Sequence, residues 1–186
     1  SNNTVTGNTC NNNSNYGIYL YSSSNNTVTG NTCNNTVTGI YLYSSSSNNT
    51  VTGNTCNNNT ATGIHLYSSS NNTVTGNTCN NNSNYGIRLY SSSSDNTVTG
   101  NTCNNNSAGI YLSSSSNNTV TGNTCIRGTG QTSDYTSSQY TILLAGSSNN
   151  YNLISSNNCM GKAVVIGGGT GNSVWGNKFD NTDDLP

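Results

Sequence analysis

The sequence predicts an all-β protein, a right-handed parallel β-helix (β-solenoid) of about eight coils, each with about 23 residues and three short strands. Three observations predict it. A nine-residue phrase recurs along the chain, a second phrase lies between its copies, and both alternate apolar and polar residues with a period of two. No segment shows a helical period over a useful length.

The first phrase is Asn-Asn-Thr-Val-Thr-Gly-Asn-Thr-Cys, which occurs five times almost unchanged and once with Asp95 in first place. Its valines are Val5, Val28, Val51, Val74, Val98 and Val120, spaced 23, 23, 23, 24 and 22 residues apart. Ile154 and Val174 take the valine position in two degenerate copies. Within this phrase we predict strands at Asn3–Val5 and Asn8–Cys10, each with alternate side chains on one face.

The second phrase, Gly-Ile-x-Leu, predicts the third strand of each coil. Its apolar pairs are Ile18/Leu20, Ile40/Leu42, Ile64/Leu66, Ile87/Leu89 and Ile110/Leu112, continued by Ile142/Leu144 and Val164/Ile166. A meander of hairpins is the alternative, but Asn-Gly and Asp-Gly, the strongest tight-hairpin signals, do not occur. Parallel stacking instead places each apolar residue about 4.8 Å from its own copy. A coil of this length is too long for the left-handed hexapeptide helix, which favours the right-handed form.

Residues 1–186 are interpreted as one domain, with regular repeats over 1–125, an insertion loop over 126–141 and degenerate coils over 142–186. Loops that protrude from a rigid scaffold often carry function, so Asp134 and Tyr135 are candidates for a specific contact.

Composition excludes several classes of partner. The net charge is −1 and only 5% of residues are charged, which is no footprint for nucleic acid. The longest apolar runs, Ile142 to Ala145 and Ala163 to Ile166, are too short to span a membrane.

A column of inward asparagines is predicted at one bend of the coil. Each side-chain amide can bond to the bend and to the identical amide of the next coil, so that the buried polar groups are paired. Surface loop residues are the alternative interpretation. The members are Asn8, Asn31, Asn54, Asn77, Asn101 and Asn123.

Asn-x-Val-x-x-Asn-x-Cys followed by Gly-Ile-Tyr-Leu resembles the parallel β-helix repeats of NosD-like and archaeal cell-surface proteins. The resemblance is close over residues 1 to about 125 and implies a solenoid outside the cytoplasm. Among envelope proteins, the chain looks most like a subunit of a methanogen sheath or related surface layer. The fold itself names no activity, since lyases, adhesins and envelope proteins share it.

Seven cysteines occupy one position of successive coils, where that family usually has an aliphatic residue. They are Cys10, Cys33, Cys56, Cys79, Cys103, Cys125 and Cys159. Buried thiols that act as small apolar residues are one interpretation. Disulfides between neighbouring coils are another, because a spacing of about 4.8 Å lies within the usual Cα range. A metal site is disfavoured because no Cys-x-x-Cys or histidine partner accompanies them.

Two outward faces are predicted. A threonine face flanks the valines: Thr4, Thr6, Thr27, Thr29, Thr50, Thr52, Thr73, Thr75, Thr97, Thr99, Thr119 and Thr121. An aromatic face flanks the leucines: Tyr19, Tyr21, Tyr41, Tyr43, Tyr67, Tyr90 and Tyr111. Tyrosines combine contact area with polar tips, which suits protein interfaces or sugar stacking, although ordinary β propensity on a solvated face also explains them.

Catalytic chemistry finds little support in the sequence. The acids are Asp95, Asp134, Asp180, Asp183 and Asp184, and they do not recur with the repeat. His65 and Arg88 replace a tyrosine in the outward column and are interpreted as surface variants. We therefore expect no enzyme, catalytic residues, metal or cofactor.

The predicted function is a self-assembling structural subunit of an extracellular sheath, surface layer or filament, whose partners are other copies of itself. Two alternatives stay open. Outward Thr-x-Thr ranks suit an ice-binding protein, and the aromatic face suits an adhesin that binds cell-surface glycans.

Overall fold

A computed structural model describes residues 1–127, 139–160 and 162–179 of the chain. Within these ranges the protein consists of β-strands of two kinds. The short strands are β1 (Thr4–Thr6), β3 (Thr27–Thr29), β5 (Thr50–Thr52), β7 (Thr73–Thr75), β9 (Thr97–Thr99), β11 (Thr119–Thr121), β13 (Leu153–Ser155) and β15 (Ser173–Trp175). The longer strands are β2 (Tyr16–Tyr21), β4 (Thr38–Tyr43), β6 (Thr62–Tyr67), β8 (Tyr85–Tyr90), β10 (Ala108–Ser113) and β12 (Tyr140–Ala145), followed by β14 (Val165–Ile166).

Two parallel sheets form the walls of the solenoid. The odd-numbered strands make an eight-stranded sheet and the even-numbered strands a seven-stranded sheet, each in sequential order. The register places each residue beside its repeat, for example Val28 beside Val51 and Ile40 beside Ile64. The predicted parallel β-solenoid is confirmed, with about seven turns. Within the described ranges, no helix is long and apolar enough to cross a membrane.

The strand predicted at Asn8–Cys10, with its counterpart in each later coil, is reduced to a one-residue ladder. It runs from Thr9 through Thr32, Thr55, Thr78 and Thr102 as isolated parallel bridges. Left-handed bends stand on both sides, at Gly7 (φ 65°) and Asn12 (φ 59°), so few residues between them stay extended. The third wall is therefore a narrow edge.

The core is a set of stacked columns between the walls. The Val, Ile and Leu columns are almost entirely buried from Val28 to Ile154, and the cysteine column from Cys33 to Cys159 is buried with them. The prediction that Ile166 and Val174 point inward is wrong, because at the last described coils they are 39% and 41% exposed. Burying one such aliphatic side chain stabilises the fold by about 1.5–3 kcal/mol. The predicted inward columns thus supply the apolar core.

The glycine of Gly-Ile-x-Leu is required by close approach between neighbouring coils. A Cβ at Gly63 would lie 2.6 Å from the carbonyl oxygen of Gly86 and 2.9 Å from Cβ of Cys79. The same contacts recur at Gly39 with Gly63 and Cys56. The cysteine column and the glycine column therefore depend on each other.

The first asparagine of each Asn-Asn pair forms a left-handed bend. Asn25, Asn48 and Asn71 have φ between 57° and 60°, and Asp95 has 58°. Asn and Asp enter this conformation more readily than other non-glycine residues. The conformation explains why Asp95 can replace asparagine in the repeat.

Candidate functional site

The aromatic face covers the outer surface of the seven-stranded sheet over its first coils. We define it by the rings of Tyr16, Tyr19, Tyr21, Tyr41, Tyr43, His65, Tyr67, Tyr85, Tyr90 and Tyr111. The parallel register produces its columns, because Tyr19 lies beside Tyr41 and Tyr21 beside Tyr43. Tyr16 and Tyr85 belong to this face as well, and the sequence analysis did not include them.

The rings touch along the solenoid axis and across it. Ring centroids are 5.5 Å apart between Tyr19 and Tyr41, and 5.7 Å between Tyr21 and Tyr43. The ladder continues from Tyr43 to Tyr67 at 5.0 Å and from Tyr67 to Tyr90 at 5.5 Å. These distances are typical of favourable aromatic pairs. The result is a continuous platform, of which Tyr19 and Tyr21 are 46% and 57% exposed.

His65 and Arg88 interrupt one column of this platform on neighbouring coils. His65 stacks on Tyr41 with centroids 4.7 Å apart and an interplanar angle of 16°. Its side chain is buried, and the Nε2 atom has no hydrogen-bond partner. The prediction that His65 is a surface variant is wrong, because the ring of Tyr41 on the preceding coil and the ring of Tyr67 on the same strand cover it.

Arg88 lies among tyrosine rings. Its guanidinium carbon is 4.1 Å from the ring centroid of Tyr90, 5.1 Å from that of Tyr85 and 5.7 Å from that of Tyr111. The side chain is half-buried. Cation–π contacts of this kind contribute about 0.5–2 kcal/mol.

Burial controls the acid–base properties of the site. Burial, together with the positive charge of Arg88, lowers the pKa of His65 to about 3. Burial and the neighbouring tyrosines raise the pKa of Tyr19 and Tyr41. Near neutral pH the histidine is therefore uncharged, and Arg88 supplies the positive charge of this surface.

The threonine face is the outer surface of the eight-stranded sheet. None of its predicted threonines is buried, and Thr73 and Thr97 are exposed. Identical residues stand side by side, as in the pairs Thr27–Thr50 and Thr29–Thr52. The face is a regular array of hydroxyl and methyl groups.

The cysteine column lies inside the core. None of the seven cysteines forms a disulfide, and Cys10 alone among them is partly exposed. The predicted disulfides between coils are not present in the structure. Burial and hydrogen bonds with the thiols of Cys103 and Cys56 raise the pKa of Cys79. A buried thiol with a raised pKa is a poor nucleophile.

The asparagine column forms a hydrogen-bonded ladder. The backbone N–H and Nδ2 of Asn31 donate to Oδ1 of Asn54, at 2.9 and 3.0 Å. Asn54 repeats both bonds toward Asn77. These residues are buried and paired, whereas the alternative placed them in surface loops.

A second asparagine ladder was missed by the sequence analysis. Asn26 donates from N–H and Nδ2 to Oδ1 of Asn49, and Asn49 does the same toward Asn72. The sequence contained the signal, because each of these residues is the second asparagine of an Asn-Asn pair that recurs every 23 residues. Both ladders are structural, since their asparagines from Asn26 to Asn157 are buried away from the faces. Asn8, the first member of the predicted column, is exposed in the first coil but still donates to Oδ1 of Asn31.

Asp134 and Tyr135, the candidates in the insertion, lie outside the described residues.

The stacked coils and their ladders define a protein of the parallel β-solenoid class. The profile of the family described as periplasmic copper-binding protein (NosD) matches residues 1–141 and, in an overlapping match, residues 46–185. The chain belongs to the NosD family. This family is periplasmic, which supports the predicted location outside the cytoplasm. The closer resemblance to archaeal sheath subunits stays a prediction.

Solved structures share the fold at low sequence identity. A mutant of the periplasmic alginate epimerase AlgG has a TM-score of 0.73 at 22% identity, over 95% of this chain and 45% of that one. Alginate lyase from Paenibacillus sp. str. FPU-7 has a TM-score of 0.71 at 12% identity, over 100% and 80%. The Streptococcus pneumoniae surface protein and adhesin PfbA has 0.51 at 14%, over 86% and 47%. A comparison with curated protein sequences found no match.

These structures correct one expectation. The prediction that the chain is not an enzyme is wrong, because proteins of this same fold include an alginate epimerase and an alginate lyase. The repeated sequence and the scarcity of acids had been taken to exclude catalysis. A repetitive solenoid gives no ground for that exclusion.

The family description implies copper, which requires a suitable group of ligand side chains. Copper sites in proteins use clusters of soft thiolate, thioether or imidazole ligands. Within the described ranges, no group of three or more His, Cys, Asp or Glu side chains is arranged to hold a metal ion. The cysteines follow one another in a single core column, with no histidine or carboxylate grouped around them, and His65 stands without a second histidine. These residues do not fit a resident copper ion, and we derive no chemistry from one.

Proposed function

We propose that the protein is an envelope protein that binds polysaccharide along its aromatic face. The observation that carries this proposal is the continuous ladder of rings from Tyr19 to Tyr90, with neighbouring centroids between 5.0 and 5.7 Å apart.

The chemistry of the ladder suits a sugar chain. Tyrosine rings give large, rigid contact area, and their hydroxyl groups give hydrogen bonds at the edge. A sugar ring has an apolar C–H surface and a rim of hydroxyl groups, so both parts find partners. Because the rings repeat along the solenoid axis, successive sugar units of one chain can stack on successive coils.

Similar solved structures support the same class of ligand. Two of them are named for alginate, a polysaccharide, and a third is named a surface adhesin. Each spans more residues than this chain, so their activities are support for a proposal about the ligand class alone.

The test is direct binding of defined oligosaccharides, measured by isothermal titration calorimetry. Tyr41→Ser and Tyr43→Ser each remove one ring from the middle of the ladder, and we expect at least a five-fold loss of affinity. The same mixtures are analysed for shortened or epimerised products, since the fold includes enzymes with those activities.

The matched controls are Thr50→Ser and Thr52→Ser, which alter the other sheet on the neighbouring short strand. We expect them to bind like the unmodified protein. Absence of binding to any oligosaccharide, or an equal loss in the threonine variants, would contradict the proposal.

Self-assembly into a sheath, surface layer or filament is a second candidate. The strict register of the threonine face favours it, because identical groups recur on β1, β3, β5, β7 and β9. A surface that repeats within one molecule can dock a second copy in the same way at several places. Sedimentation velocity and electron microscopy of the folded protein test it. A species that stays monomeric at high concentration would reject it.

A further inference from the structure

We propose that Arg88 is a specific site for an acidic sugar, a unit that bears a carboxylate or a sulfate, within the polysaccharide bound to the aromatic face. This inference rests on the proposed function and names the substrate class of the same surface.

The first argument is the missing counter-ion of Arg88. The guanidinium is permanently charged, with five donors in a planar fork. The guanidinium lies against the rings of Tyr85, Tyr90 and Tyr111. It forms no salt bridge with any acidic residue that the structure describes. The Nε atom is buried without a hydrogen-bond partner. Rings stabilise the flat face of a guanidinium, but they leave its N–H groups without acceptors.

The second argument is the neighbouring residue, His65. It lies directly beside Arg88 in the parallel register. It is only 8% exposed, and its Nε2 atom has no partner. Two adjacent coils therefore carry unsatisfied polar atoms in the middle of a platform that is otherwise aromatic. Buried polar groups are normally paired, so this exception calls for an explanation.

The third argument is position along the ladder. The column reads Tyr19, Tyr41, His65, Arg88 and Tyr111 on successive coils. A sugar chain stacked on Tyr41 and continuing toward Tyr111 must pass over Arg88. A carboxylate or sulfate on the unit at that coil would accept the paired N–H bonds of the guanidinium, a geometry that arginine favours.

No described acidic side chain competes for this arginine. Asp95 is the acid within the described ranges, and it lies at a bend beside the eight-stranded sheet. An anion that pairs with Arg88 would therefore come from outside the described residues, and a bound acidic sugar is the partner of that kind that fits the aromatic face.

The experiment compares three hexasaccharides of similar length by calorimetry at low salt. One is a hexauronate, one is a sulfated hexasaccharide and one is neutral. For the unmodified protein we expect at least ten-fold tighter binding of an acidic probe than of the neutral one. The carboxylate and sulfate arms identify which acid the site prefers.

Three variants sharpen the test. Arg88→Tyr introduces the residue that Tyr41 and Tyr111 supply to this column, and we expect the ratio of acidic to neutral affinity to fall to near one. Arg88→Lys keeps the charge and loses the planar fork, so we expect an intermediate ratio. Lys178→Ala removes a positive charge from the ladder of isolated bridges, outside the seven-stranded sheet, and the ratio should not change. Circular dichroism verifies that each variant is folded.

The outcomes separate this inference from the proposed function. If neutral and acidic probes bind equally and Tyr41→Ser weakens both, the aromatic face binds polysaccharide and the acidic-sugar site is wrong. If Arg88→Tyr retains the acidic preference, the site is also wrong. If no probe binds, both proposals fail.

Discussion

The two sheets of the solenoid are built alike on the inside and differ on the outside. Inward, both present stacked apolar columns that are almost fully buried, such as Val51 on β5 and Leu42 on β4. Outward, the eight-stranded sheet repeats Thr-x-Thr on six successive coils, while the seven-stranded sheet changes from tyrosine to histidine, arginine, leucine and alanine. A residue that is identical on every coil has the same structural role in each of them. A residue that differs from coil to coil makes different contacts. The difference points to the aromatic face as the more specific surface.

The largest effect on stability is expected from a charge placed on the inward side of either sheet, which tests whether the two inward sides are equivalent. Val51→Asp and Leu42→Asp each place an unpaired charge in the core, and we expect each to cost about 3–5 kcal/mol or to prevent folding. The measurement is urea unfolding followed by circular dichroism. The outward controls Thr52→Asp and Tyr43→Asp should cost far less. If either inward variant is as stable as its outward control, the two sheets do not contribute equally to the core.

A second prediction concerns the contact between the seven-stranded sheet and the cysteine column. Gly63→Ala should destabilise the fold by about 1–3 kcal/mol, because its Cβ would overlap the carbonyl oxygen of Gly86. Gly53 has open space around its Cα and a φ of 62°, which asparagine accepts. Gly53→Asn is therefore the control, and thermal unfolding should show a smaller shift for it. Equal shifts would mean that close approach is not the constraint.

A third prediction concerns the pH dependence of stability that His65 causes. The pKa of His65 is about 3 in the fold and 6.5 ordinarily, so the unfolded chain binds more protons between these values. The free energy of unfolding should fall as pH drops from 6.5 toward 3, by about 1.4 kcal/mol for each unit of pKa difference. His65→Tyr, which restores the column residue, should show a shallower decline over this window. Parallel pH profiles of the two proteins would show that His65 is accessible to protons.

The smallest effect is expected on the threonine face. Replacing Thr50 and Thr52 by lysine should change the free energy of unfolding by no more than about 0.5 kcal/mol, because neither side chain is buried. Oligosaccharide affinity should not change either. A thermal-hysteresis assay of the unmodified protein and this variant examines the ice-binding alternative. Ice-shaping activity that disappears in the variant would assign function to the uniform sheet.

The sequence was sufficient to predict features in which a residue contacts the equivalent residue of the next coil. The Val, Cys, Ile and Leu columns and the ladder from Asn31 to Asn77 follow from fixed spacing alone. The features that depend on different residues meeting across coils were missed. Burial of His65 arises from the rings of Tyr41 and Tyr67 around it, and the glycine requirement arises from Cys79 against Gly63. The threonine at position 9 gives a single bridge rather than a strand because two left-handed bends enclose it.

The close similarity of the regular coils has a consequence for folding. If one coil paired with the next but one, looping out about 23 residues, nearly every core, amide and glycine contact would be reproduced. Such slipped arrangements would compete with the native one wherever successive repeats are interchangeable. The exceptions remove this degeneracy: the 24- and 22-residue spacings around Val98, the His65–Arg88 pair, and Leu143 and Asn149 in the later coils have no equivalent elsewhere. The least regular residues thus distinguish one coil from another and determine which coils pair with each other.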